Sequence, residues 1–176
     1  MTGAARTVVS VVGNLREASR TLTVAEALTA RIAKSAPSLM AADCFDLAVL
    51  AERIFQPDDE DVRAAMTAVS RASVLVVASP TYKASYSGLL KAFFDPFHGD
   101  ALRGVVAIPV MIGGSSAHQL APDLHLRPLL VELGASTPTQ SLYVLESQLP
   151  ELDATLDAWV ERNVSVLHSA PSPGVL

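Results

Sequence analysis

The 176-residue chain has a single cysteine, Cys44, so no disulfide can form within it, which suits a reducing compartment. No stretch is apolar for long enough to span a membrane, and Met1-Thr-Gly-Ala-Ala-Arg6 lacks the apolar run of a secretory leader. A cytoplasmic location is therefore expected. Basic residues are scattered, 13 Lys and Arg against 18 Asp and Glu, and a net charge of -5 argues against nucleic acid as a partner. His98, His125 and His168 stand apart, and there is neither H-E-x-x-H nor paired Cys, so no metal site is expected. The G-x-S-x-G elbow of hydrolases is also missing. So are G-x-G-x-x-G and G-x-x-x-x-G-K-[ST], which disfavours dinucleotide-fold and triphosphate sites.

What is present is apolar and regularly spaced. Half of the residues are hydrophobic, enough for one filled core. Thr7–Val12, Leu39–Leu47, Val74–Ala78, Val105–Ile112 and Ser141–Leu145 read as strands, with Pro109 an irregularity in the fourth. Helical spacing marks 23–36, a segment from Asp58-Asp-Glu-Asp61 to about Ala72, 89–97, 117–133 and 150–167. The acidic run Asp58–Asp61 reads as a helix cap and first turn rather than a metal site. Residues 48–57 read as a loop. Strands alternating with helices predict an α/β fold: a five-stranded parallel sheet of order 2-1-3-4-5 with helices on both faces. One domain is expected over 1–168, with 169–176, rich in Pro, Ser and Gly, as a disordered tail.

In that topology three strand-to-helix loops meet at one edge of the sheet. The first, Gly13-Asn-Leu-Arg-Glu-Ala-Ser-Arg-Thr21, combines a glycine, two arginines and two hydroxyls at a helix start. A terminal phosphate wants that set of amides, dipole, hydroxyls and cations. Ser19 or Thr21 as a plain N-cap, with solvated arginines, explains the same residues equally well. The second, Ser79-Pro-Thr-Tyr-Lys83, ends a buried strand and either offers backbone amides and an aromatic face to a flat heterocycle or is a turn whose Tyr82, with Tyr86, packs at a subunit contact. The third, Gly113-Gly-Ser-Ser-Ala-His118, lets backbone approach a ring because two side chains are missing. Its alternative is an ordinary turn capped by Ser115 or Ser116, with His118 at the surface. Cys44 reads as core. A receiver-type signalling domain would want carboxylates after the first strand, where this chain has Gly13-Asn14.

Ser79-Pro-Thr-Tyr-Lys-Ala-Ser-Tyr-Ser-Gly-Leu-Leu-Lys91 and Gly113-Gly-Ser-Ser-Ala-His-Gln-Leu-Ala-Pro-Asp-Leu-His-Leu-Arg-Pro128 resemble motifs of the flavodoxin-like, NAD(P)H-dependent FMN reductases. The resemblance runs from the first strand to about Leu142, and is nearest to the reductases of two-component alkanesulfonate monooxygenase systems. It implies FMN and NADPH (or NADH) as cofactors, a cytoplasmic homo-oligomer (dimer or tetramer) and an FMN-dependent monooxygenase as partner. It also implies that Asn14, Leu15, Arg16, Ser19, Arg20 and Thr21 hold the flavin phosphate, Asn14 and Leu15 standing where the family has Ser and Pro. Pro80, Thr81, Tyr82 and Lys83 would then run along the ribityl chain and ring. Gly113, Gly114 and Ser115 would meet the ring edge, with His118 beside them. No side chain is implied as acid or base, since hydride passes between stacked rings. Similar enzymes carry an inserted residue in the fourth helix that forms a π-type bulge, linked to flavin release. Leu124 occupies that position, with His125 next, and the sequence leaves the bulge open.

Two other readings share the fold: an FMN-retaining reductase of quinones, azo compounds or metal ions, and a flavodoxin-like electron carrier. Two arginines in the first loop and a mild net charge count against the carrier. A non-flavin interaction module would leave Gly113-Gly114 and the Pro80 turn without purpose. No single Arg or Lys can be assigned to an NADPH 2′-phosphate.

Overall fold

The computed structural model describes residues 5–56 and 58–171. Strands β1 (Thr7–Val12), β2 (Met40–Asp46), β3 (Val74–Pro80), β4 (Val106–Gly113) and β5 (Leu142–Leu145) form one parallel sheet. Its order is β2-β1-β3-β4-β5, as expected from the alternating pattern. The helices are α1 (Arg20–Ser35), α2 (Leu47–Leu50), α3 (Glu60–Ser70), α4 (Gly88–Phe94), α5 (Arg127–Glu132) and α6 (Leu152–His168).

Strand residues feed the two faces alternately, as the period of two demands. Val8, Val12, Val74, Val76, Ile108, Val110 and Ile112 pack with Val24, Leu28 and Ile32 of α1 and Leu156, Trp159 and Val160 of α6. Val9, Val11, Leu75, Val77, Ala107 and Met111 face α2 to α5. On that side Phe93, Phe94 and Phe97 form an edge-on and tilted trio with ring centroids 5.2 to 5.4 Å apart. The central strands are buried on both sides, which is why they read as continuous branched runs.

Several boundaries depart from the sequence expectation. α1 begins at Arg20 rather than Thr23, because the Ser19 hydroxyl accepts from the Leu22 amide at 3.2 Å and caps the helix. Thr21 is therefore inside the helix. The loop expected over 48–57 holds α2 and a 3₁₀ turn, Ala51–Arg53, started by the Asp46 carboxylate capping Ala48. Pro109 causes no irregularity: the β3–β4 register runs unbroken past it, and β4–β5 pairing begins one residue later at Val110. The irregularity is in β2, where the register slips between Ala41 and Cys44, so the Ala-Ala-Asp centre of this exposed edge strand is a bulge.

The long helix expected over 117–133 is broken into a 3₁₀ turn (Ser116–His118), a π-helical segment (Pro122–Leu126) and α5. Pro128 has no amide proton to offer the Leu124 carbonyl, and the Arg127 amide donates five residues back to Pro122. Arg127 also ties this segment to the approach to β5, donating to Asp123, Thr139 and Ser141 at 2.8 to 3.1 Å. The question left open over Leu124 and His125 is thereby answered, and both side chains are exposed. At the C-terminal end Ala170 is buried against the α1–α6 side, and 172–176, most of the expected tail, lie outside the described residues.

Candidate active site

The C-terminal ends of β1, β3, β4 and β5 open into a cleft of about 460 Å³. It is lined by Asn14, Arg16, Glu17, Ala18, Ser19, Arg20 and Thr21, by Pro80, Thr81 and Tyr82, by Ile112, Gly113 and Gly114, and by Glu146. The three loops singled out in the sequence thus converge. Leu15, Lys83, Ser115 and His118 do not line the cleft; Leu15 is 62% exposed, Lys83 and Ser115 are exposed, and His118 is half-buried. A wider groove of about 710 Å³ between α1 and α6 has its Arg31 engaged by Asp153 and Asp157.

The first loop is held from inside. Asn14, 8% exposed, donates from Nδ2 to the Thr21 hydroxyl at 3.0 Å, and its Oδ1 accepts from the Arg16 amide at 3.0 Å. Ala18 has a left-handed φ of 48°, and its amide donates to Asp46 Oδ2 at 3.2 Å. Asp46 therefore fastens this loop as well as capping α2, a role the sequence did not reveal. The amides of Arg20 and Thr21, in the first turn of α1, have no acceptor among the described residues. Arg16 forms no ion pair among the described residues, whereas Arg20 Nη2 lies 3.0 Å from Glu146 Oε1.

The second loop closes on itself. Tyr82 and Ser85 exchange backbone hydrogen bonds of 2.8 and 3.0 Å, with Lys83 and Ala84 at φ of 50° and 64° between them. Positive φ at both central residues is the type I′ arrangement, strained for side chains other than Gly or Asn. This tight turn holds Tyr82 at the cleft and swings Lys83 away. Behind it, Ser79 and Ser87 are buried and linked, Ser87 N donating to Ser79 Oγ at 2.9 Å. Ser87 also caps α4 and donates to the Gly13 carbonyl, joining the second loop to the first.

The third loop is spaced by a residue the sequence did not mark. Tyr143 of β5 donates from its hydroxyl to the Ser115 carbonyl at 2.8 Å, and that hydroxyl lies 2.0 Å from where a Gly113 Cβ would be. Gly113 is bare to admit Tyr143; Gly114 has nothing within 4 Å of a Cβ and faces open space. Ser115 caps the following 3₁₀ turn through the Ala117 amide. Thr81 Oγ1 is buried with no partner among the described residues, although Thr81 lines the cleft.

Two further groups stay outside this chemistry. Cys44 is half-buried on β2, and burial pushes its thiol up, away from the thiolate a nucleophile needs. No group of three or more His, Cys, Asp or Glu among the described residues is placed to hold a metal ion.

An amide-bearing helix start, free and paired arginines, an unpartnered buried hydroxyl and an open backbone at Gly114 fit a ligand with a phosphate at one end and a flat polar ring at the other. Comparison with known proteins points the same way. A relative from Pseudomonas putida, named NADH-dependent FMN reductase SfnF, is 36% identical over 168 residues, 92% of this chain and 89% of its own. A relative from Escherichia coli, named FMN reductase (NADPH), is 36% identical over 110 residues, 57% of this chain and 58% of its own. The solved apo structure of an NADH:FMN oxidoreductase, EmoB, superposes with a TM-score of 0.78 at 31% identity, covering 88% of each chain. Residues 6–149 match the model of the NADPH-dependent FMN reductases, and the chain belongs to that family.

Proposed function

We propose that residues 1–168 act as one domain that binds FMN in this cleft and reduces it with NADH or NADPH. When bound, FMN supplies the hydride acceptor, its N5, against which a reduced nicotinamide stacks. The protein's part is placement. The Arg20 and Thr21 amides, Arg16, Arg20 and the Ser19 and Thr21 side chains face the position of a phosphate. Thr81 Oγ1, left without a partner, is set to meet the ribityl chain or the ring, with Pro80 and Tyr82 beside it. Gly114 leaves the ring edge open to the Gly113-Gly114 backbone, while Gly113 makes room for Tyr143, whose hydroxyl keeps that loop in place. No side chain in the cleft is needed as acid or base. Leu15 at the phosphate end, and Lys83, Ser115 and His118 at the ring end, lie outside the lining and would meet the flavin only from above the cleft.

The observation that carries this reading is the convergence of the three loops on one cleft whose phosphate end has unsatisfied amides and arginine. The π-helical segment supports a loosely held flavin passed to a monooxygenase, and exposed Leu120, Leu124 and Val131 around it support an oligomer of this chain. No helix among the described residues is long and apolar enough to cross a membrane, which accords with a cytoplasmic enzyme. The test is oxidation of NADH and NADPH, followed by loss of the reduced nicotinamide's absorbance, with FMN, riboflavin or a quinone as acceptor. Oxidation stimulated by added FMN is expected. Protein that stays yellow after desalting and reduces quinone with no flavin added would overturn the supplier role in favour of an FMN-retaining reductase.

A further inference from the structure

Glu146 is an unexpected wall for an anion site. It follows β5, where a 3₁₀ turn over Glu146–Glu151 begins and the Gln148 side chain accepts from the Leu145 amide at 2.9 Å. That placement sends its carboxylate across the cleft to Arg20 Nη2, 3.0 Å away, with the two side chains 44% and 65% exposed. Both residues line the same cavity as Arg16 and Glu17. The arginines and glutamates of the lining cancel, so the cleft offers no net positive charge to a phosphate that carries about -1.5 to -2.

Resting on the reading of this cleft as the FMN phosphate site, we propose that Glu146 competes with the flavin phosphate for Arg20 and sets how quickly flavin leaves. A guanidinium has donors enough for two partners, but a carboxylate already on it repels the incoming dianion and must turn aside or share. Because the pair is solvent-exposed, it breaks easily, and phosphate is not shut out. On departure of the phosphate, Glu146 recaptures Arg20 and leaves no unpaired cation behind. The residue thereby favours a flavin that is passed on over one that is retained.

The experiment measures FMN and riboflavin dissociation constants by quenching of flavin fluorescence, with FMN off-rates by stopped flow, at one fixed ionic strength. It uses the full chain as wild type, Glu146→Gln, Arg20→Ala and the double variant. Glu146→Gln is expected to tighten FMN about fivefold, the scale of an exposed ion pair, with the change in the off-rate. Riboflavin should be unmoved, and most of the gain should vanish in the Arg20→Ala background. Unchanged or weaker FMN binding by Glu146→Gln overturns the proposal, and so does a gain shared by riboflavin. If Arg20→Ala weakens FMN selectively while Glu146→Gln does nothing, only the competition fails. If Arg20→Ala affects FMN and riboflavin alike, the phosphate reading fails as well.

Discussion

Gly13 and Gly113 stand at strand ends beside the cleft, and each is bare because of a neighbour in the protein. A Cβ on Gly13 would lie 2.4 Å from Leu90 Cβ and 3.1 Å from its Cα, so α4 packs directly on the loop. Gly13→Ala is accordingly expected to destabilise the fold by about 1–3 kcal/mol, the usual penalty of overpacking, as a lower midpoint in urea unfolding. Gly114→Ala, with open space around it, should change stability by less than about 0.5 kcal/mol. In the sequence Gly113 and Gly114 both read as openings for a ring, and of the three loop glycines only Gly114 has that surrounding. The residues that fill the other two spaces, Leu90 and Tyr143, lie 77 and 30 positions further on, as their numbers show, and no local pattern ties them to Gly13 and Gly113. Asp46 and Glu146 escaped notice for the same reason: each acts on the first loop from the end of another strand. The loop residues themselves, Asn14, Arg16, Ser19, Arg20 and Thr21, were legible because glycine, arginine and hydroxyls crowd into nine positions at a strand end.

Among the elements, α3 shows most directly how charge sets a boundary. Asp59 accepts from the Asp61 and Val62 amides at 3.1 and 3.0 Å, and Arg53 bridges it to Asp61. The Val62 amide first, with help from Arg53, holds the Asp59 carboxyl below the ordinary carboxylate range. Between its folded and unfolded values the unfolded chain binds more protons, so this stabilisation is present above the ordinary range and lost as pH falls through the folded value. Asp59→Ala should therefore lower Tm at neutral pH, with the gap to wild type closing as pH drops below about 4. Thermal melts of both proteins across pH check it; a gap that stays constant would assign the effect to the side chain's shape alone. The acidic run at 58–61 was readable as a helix start because capping chemistry is local. The π-helical segment was not, since five residues are too few for an apolar period to tell one helical pitch from another. Its signature, the Arg127 amide bonded five residues back to Pro122, lies in the backbone pairing and not in any residue type.

At the scale of the molecule, alternating branched strands and amphipathic helices dictate a doubly wound sheet, and that topology brings three distant loops to one edge. Nothing comparable in the sequence says where the outer faces go. Leu120, Leu124 and Val131, each more than half exposed on the π-helical segment and its flanks, are the surface on which an oligomer is proposed. Leu124→Glu is expected to shift the mass found by light scattering after size exclusion toward a smaller species, and an unchanged mass would move the interface elsewhere. Beyond assembly, the central claim is that this cleft takes FMN by its phosphate. The most direct measurement compares FMN and riboflavin binding by wild type and Arg16→Ala, the cleft arginine with no ion pair among the described residues. A loss of about tenfold or more for FMN, with riboflavin changed by less than about twofold, is the expected result for a removed charge-assisted hydrogen bond. Equal losses for the two flavins would contradict it.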